Sequence, residues 1–204
     1  MIKKRQIDPI FKRYFGIETP IIYISDNKIQ KSVEKRFQIS WKRFYNRSSS
    51  TLSLSRTKQF DLFFRKLKKD GCDERFVRRV TINFINHVVG FGVFAKTDIP
   101  PYSTLNHYSG VLISDKDIEP HRNSTFSFTG YKAFSIDAME HGNWCRFMNH
   151  CDEGDNVIPW EYYHESGPKI VFTSGSKGIK QGAQLLYSYG KDYWSEIRCD
   201  CLKL

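Results

Sequence analysis

The change of texture at about residue 81 constrains the fold most. From there the segments "TINFINHVV", "GVFAKTDI", "STLNHYSGVLI", "TFSFTGYKAFSI", "KIVFTSG" and "AQLLYSYG" are short, rich in β-branched and aromatic residues, and separated by Gly, Pro, Asp and Ser. Runs this short predict a mostly β domain of short strands. Upstream, "QKSVEKRFQISWKRFY" and "TKQFDLFFRKLKK" place apolar residues three to four apart among cations, the pattern of amphipathic helices. The Ser-rich "NRSSSTLSLSR" separates them, and "KKDGCDE" supplies a helix stop. The expected organisation is a basic helical region over residues 1–80, a β domain over 81–194 and a tail over 195–204.

The charge follows the same division. Residues 1–80 carry 21 Lys and Arg against 8 Asp and Glu, a net of +13, whereas residues 81–204 carry 11 against 14, a net of −3. The N-terminal part could therefore approach an anionic surface such as nucleic acid, and the mildly acidic remainder could receive a basic peptide; a solvated helical face accounts for the charge equally well. A chain of 204 residues can bury a real core, and no apolar run reaches the ~18 residues of a spanning helix. The start "MIKKRQIDPIFKRYF" lacks the apolar stretch and small-residue site of a cleaved secretion signal. Cys72, Cys145, Cys151, Cys199 and Cys201 make an odd, scattered set, which predicts reduced thiols rather than a disulfide framework.

The chemistry-bearing stretch is "GNWCRFMNHC", Gly142 to Cys151. Its two cysteines and one histidine could be read as a metal site, as a nucleophile with its base, or as neither. On an extended segment Cys151 and His150 point to opposite faces, which does not favour convergence on one reacting atom. The stretch is one of four in fixed order: "VVGFGVFAKTDIPPYS", then "HYSG" at 107–110, then "IDAMEHGNWCRFMNHC" at 136–151, then "GIKQGAQLLYSYG" at 178–190. Taken alone, the Gly-x-Gly of the first is commonly just a tight turn, and it lacks the third Gly of a dinucleotide fingerprint.

Together the four stretches resemble the SET-domain protein lysine methyltransferases, and most closely the small bacterial SET proteins of the chlamydial type. The resemblance implies a mostly β fold of several small sheets with a knot-like C-terminal threading. It implies S-adenosylmethionine as methyl donor, cradled by the backbone of Gly90, Phe91 and Gly92, the Asn149 side chain and the His150 main chain, with Arg146 nearby and Trp194 as an aromatic wall. Tyr189 takes the position of the catalytic tyrosine, Tyr187 that of the residue tuning methyl number, and Tyr108 that of an aromatic lining the lysine channel. The implied substrate is a basic protein, a histone or histone-like protein, and the implied setting is a bacterial cytoplasm or secretion into a host cell and its nucleus. A catalytically idle SET fold binding chromatin or nucleic acid through residues 1–80 is the alternative.

The sequence departs from the family at several points. Cys151 stands where the family usually has Ser, "CDEGDN" delays Asn156 by a residue, Ala183 and Gln184 replace a Glu pair, and His107 replaces an acid. Cys151, Cys199 and Cys201 do not complete a tetrahedral set before the chain ends at "LKL", so no zinc is expected within one chain. "RNSTFSFTG" offers no clear counterpart to a cofactor-side aromatic of the family.

Overall fold

Helix α1 (Pro9–Phe15) begins where the sequence supplies a cap. Asp8 Oδ1 accepts the amides of Ile10 and Phe11 at 2.8 and 3.2 Å, and Pro9 sits in the first turn, where its missing N–H is harmless. The helix stops at Gly16, whose φ of +68° is open to glycine and whose amide returns to Lys12 O at 3.1 Å. The computed structural model describes residues 8–47, 54–70, 77–118 and 124–190.

Helices α2 (Glu34–Tyr45) and α3 (Leu54–Asp70) lie where the apolar spacing predicts them. The strands in chain order are β1 (Ile22–Tyr23), β2 (Lys28–Ile29), β3 (Val80–Asn86), β4 (Gly90–Ala95), β5 (Thr104–His107), β6 (Val111–Ser114), β7 (Thr125–Ser127), β8 (Phe134–Asp137), β9 (His141–Gly142), β10 (Asn149–His150), β11 (Val157–His164), β12 (Gly167–Ser174) and β13 (Leu186–Tyr187). They form small sheets: β11-β12-β5, β2-β6-β8-β7, and the pairs β3-β4, β1-β9 and β10-β13. This is the mostly β architecture of several small sheets, with a helical N-terminal region, that the sequence predicts. The parallel pairing of β10 with β13 sets the last strand beside Asn149 and His150. The chain beyond Gly190, on which a knot-like threading also depends, lies outside the described residues.

The compositional boundary at residue 81 is not a gap in packing. Strand β1 pairs in parallel with β9, and β2 with β6, so the N-terminal segment extends the sheets of the β domain. Phe11 of α1 packs edge-on against Phe147 at 5.6 Å.

The β11–β12 hairpin orders the rest. Trp160, Tyr162 and His164 alternate with Glu161 and Tyr163 along β11, so Tyr162 and Tyr163 face different helices. Tyr162 packs on Phe60 and Phe64 of α3, at 5.5 and 5.7 Å between ring centres, and its hydroxyl donates to Asp61. Tyr163 packs on Trp41 and Phe44 of α2, at 6.0 and 5.0 Å. Strand β12 is buried at every residue, with Val171 turned to α3 and Ile170 and Phe172 to the main core, so its apolar centre Ile170–Phe172 packs on both faces. Phe60, Phe63, Phe64 and Leu67 form the buried stripe of α3, each contributing about 1.5–3 kcal/mol by leaving water.

Candidate active site

Strands β3 and β4 form an antiparallel hairpin whose turn is built by Asn86, the Oδ1 of which accepts the amides of Val88 and Val89 at 2.9 and 2.8 Å. The turn delivers Gly90 with φ +77°, and among the described residues nothing beyond its chain neighbours lies within 4 Å of where a Cβ would stand. Gly92 is constrained differently. A Cβ there would meet Ile85 Cδ1 at 2.6 Å, Gln184 Nε2 at 2.7 Å and Asn149 Nδ2 at 3.2 Å, so the glycine lets three segments close on one another. Between them Phe91 turns its ring to Phe84 and Phe147, leaving its carbonyl to accept from Asn149 Nδ2 at 3.1 Å.

The second wall is hung from Asn143, which is 1% exposed. Its amide donates to His107 O at 2.8 Å and Ser109 Oγ at 2.9 Å, and its oxygen accepts the Cys145 amide at 3.0 Å. This docks the one-turn 3-10 helix Trp144–Phe147 against the "HYSG" segment. Arg146, on that turn, donates from Nε to Ala138 O at 2.7 Å and from a terminal nitrogen to Ser124 Oγ at 3.1 Å. Burial lowers its pKa from the ordinary guanidinium value, opposed by the tyrosines and Asp137 around it.

The chain then enters β10, where Asn149 and His150 pair with Leu186 and Tyr187 of β13. Asn156 fastens the approach to β13 by donating to Gln184 O at 2.8 Å and accepting the Leu186 amide at 3.0 Å. Beyond β13 the Tyr189 amide donates to His150 Nδ1 at 3.0 Å, and the Tyr189 hydroxyl donates to Met148 O at 2.7 Å. Tyr187 and Tyr189 lie 4.8 Å apart between ring centres. Phe172 and Phe126 continue the aromatic wall, 5.0 and 6.1 Å from Tyr187, and Tyr108 closes it at 5.6 Å from Phe126. Tyr108 is 4% exposed, its hydroxyl donates to Ser124 O at 2.8 Å, and burial drives its pKa far above the ordinary phenol value.

Residues 90–190 match the SET domain family. The chain carries a SET domain. Among curated relatives it is similar to the human histone-lysine N-methyltransferase EHMT1, 33% identical over 114 residues that make 52% of this chain and 9% of the relative. It is also similar to the histone-lysine N-methyltransferase EZH2 of Chaetomium thermophilum, 30% identical over 117 residues, 51% of this chain and 8% of that one. The chain thus spans under a tenth of the length of these relatives. A solved structure of the polycomb repressive complex 2 from the same fungus, bound to S-adenosylmethionine, aligns at a TM-score of 0.48 with 30% identity, over 54% of this chain and 15% of the other.

Within the SET domain, Gly90, Phe91, Gly92, Asn149, His150, Tyr187 and Tyr189 occupy adjoining segments, and Tyr108 joins them through Phe126. The Arg146 guanidinium donates to Ala138 O and Ser124 Oγ. Trp194, Cys199 and Cys201 lie outside the described residues. The cysteine readings find no geometry: Cys145 is fully buried, Cys151 Sγ donates to Glu153 O at 2.6 Å, and the His150 ring is engaged by Tyr189 and Asp152. Among the described residues no three His, Cys, Asp or Glu side chains gather as a metal site. Sequence reasoning gives no role to Phe126, Phe172, Asn143 or Asn156. The Asn of "GNWC" and the Asn after "CDEGD" were the available signals, since a polar amide beside apolar or turn residues commonly caps backbone groups.

Proposed function

We propose that the chain is an S-adenosylmethionine-dependent protein lysine methyltransferase acting on a basic protein such as a histone or histone-like protein. The observation that carries this reading is the meeting of the Gly90–Gly92 main chain, Asn149 and the Tyr187–Tyr189 pair across β4, β10 and β13. The residues fit the cofactor. Gly90 offers main chain with, among the described residues, open space on its side-chain face, and Asn149, with Nδ2 committed to Phe91 O, presents an amide oxygen as acceptor. When bound, the cofactor supplies an electrophilic methyl group on a sulfonium.

The protein's own task is to align a lysine nitrogen and make it neutral. With a pKa of about 10.4, roughly one lysine in 2,500 is neutral at pH 7, a deprotonation cost of about 4.6 kcal/mol. The aromatic wall of Tyr108, Phe126, Phe172 and Tyr187 disfavours the ammonium by desolvation, so no dedicated carboxylate base is required. The Tyr189 hydroxyl, oriented by Met148 O, holds lone pairs in a fixed direction for the incoming group, a preorganised contribution. A hydroxyl at Tyr187 can hold a water where a further methyl would go, which supports mono- or dimethylation. Exposed cations on opposite sides of the β11–β12 hairpin, Lys35 and Lys42 on α2 and Lys58, Arg65 and Lys66 on α3, support contact with nucleic acid that carries the substrate.

Calorimetry with S-adenosylmethionine tests the reading. Binding in the micromolar range, weakened about tenfold or more in Asn149→Ala, is expected. Absence of binding by the folded protein would leave the idle, nucleic-acid-binding alternative.

A further inference from the structure

We propose that the His150 side chain, and not only its main chain, serves the site: its Nδ1 accepts from and tethers the main chain of Tyr189, making the placement of that tyrosine depend on the tautomer and orientation of the ring. This rests on the reading above for its kinetic consequence but not for its structural content. The Tyr189 amide donates to His150 Nδ1 at 3.0 Å, so that nitrogen must carry a lone pair. The neutral ring then bears its proton on Nε2, and Nε2 lies 2.9 Å from Asp152 Oδ1, an acceptor. The two contacts require the same tautomer. Asp152 belongs to "CDEGDN", the loop in which this chain departs from its family, and its carboxylate is exposed, so it orients the ring without burying a charge.

The tether acts on the right part of the chain. Strand β13 ends at Tyr187, and after it the Tyr189 hydroxyl bonds Met148 O and its amide bonds His150. Both acceptors belong to the Met148–His150 stretch, so the phenol and its main chain are referred to one rigid segment. Asp152 from its own loop and Tyr189 from the facing segment are titratable groups set against the ring, the latter at 5.2 Å between ring centres. A ring with its proton on Nδ1 would set a donor against the Tyr189 amide, so the tether holds only in the Nε2–H tautomer.

Substitutions separate the tether from bulk packing. In His150→Asn the amide oxygen takes nearly the position of Nδ1, whereas His150→Leu fills space without an acceptor, and His150→Gln sets its oxygen about one bond too far. Nitrogen NMR of isotope-labelled protein is expected to show Nδ1 as the unprotonated nitrogen of wild-type His150 and slow exchange of the Tyr189 amide. That protection should persist in His150→Asn and vanish in His150→Leu. In methyl transfer from S-adenosylmethionine to histone peptides, kcat is expected to fall about tenfold or more in His150→Leu with cofactor affinity held within about threefold, and to recover in His150→Asn. Protonated Nδ1 in the neutral ring, or equal exchange and equal kcat in the Asn and Leu variants, would overturn the proposal. Intact NMR behaviour in a wild type that transfers no methyl group would leave the tether standing and sink the methyltransferase reading instead.

Discussion

Replacing Asp26 by Asn is expected to destabilise the fold by about 2–3 kcal/mol at pH 7, and to do so in a way that pH reveals. Lys169, in the middle strand β12, is 3% exposed, and its ammonium bonds the Asp26 carboxylate. The fully buried His107 ring stands 3.3 Å from the same oxygen. Removing one member of a buried pair typically costs about 3–5 kcal/mol because the other charge is left uncompensated; half of the Asp26 side chain meets solvent, which screens the loss and sets the lower range. Burial acts to raise the Asp26 pKa, but the hydrogen bond with His107 and the charge of Lys169 outweigh it and hold the carboxyl well below the usual carboxylate range. A depressed folded-state pKa gives stability that is present above the unfolded value of about 3.9 and is lost as pH falls through the folded value. The wild-type advantage over Asp26→Asn should thus be full at pH 7 and shrink steadily below about pH 4. Urea unfolding followed by circular dichroism across that range measures it. Because the penalty comes from an orphaned cation, Asp26→Asn combined with Lys169→Met should recover at least about 1 kcal/mol over the single variant. A single variant within about 0.5 kcal/mol of wild type at pH 7, or a difference that does not change between pH 7 and pH 2, would refute the argument.

Three further outcomes follow from the same geometry. Gly92→Ala drives a methyl group into Ile85, Gln184 and the Asn149 amide; the first two are flexible side chains, so the fold should survive with a melting point lowered by a few degrees while S-adenosylmethionine affinity falls about tenfold or more, read by calorimetry. Phe60→Ala empties the fully buried centre of the α3 stripe and should cost about 3–5 kcal/mol in urea unfolding, with Tyr162 losing its edge-on neighbour. Tyr187→Phe should shift product toward the higher methylation state in mass spectra of a modified peptide, and abundant trimethyllysine from the wild type would contradict the role given to its hydroxyl.

The sequence discloses what is local and periodic. The apolar spacing of α2 and α3 and the short segments broken by turn residues map onto real elements, because burial on one face writes itself at the period of the element. Strand β11 is hidden: Pro159 and Glu161 break its pattern, and only the fold shows that β11 is the edge of its sheet, where a missing N–H is tolerated. The cap signals of α1, Asp8, Pro9 and Gly16, are present in the sequence, but seven residues are too few for periodicity to carry the helix by itself. Two-residue strands such as β1, β2 and β10 have no period at all and exist through their partners. The candidate site divides the same way. Its glycines, Asn149 and tyrosines are legible from motif order, whereas Phe126 and Phe172 join Tyr187 through contacts distant in sequence. Asn143 and Asn156 act through backbone groups that only folding brings near. The early basic segment differs from the rest in charge, yet its strands extend sheets of the β domain, since main-chain pairing is blind to composition.

The most direct measurement of the central claim is incubation of the full chain with isotope-labelled S-adenosylmethionine and purified histones or histone-like proteins, followed by mass spectrometry of the modified residues. Label on lysine side chains in the wild type, reduced about a hundredfold or more in a folded Tyr189→Phe variant that still binds the cofactor, is the predicted result. Cofactor binding without label on any lysine, or label undiminished in Tyr189→Phe, would contradict it.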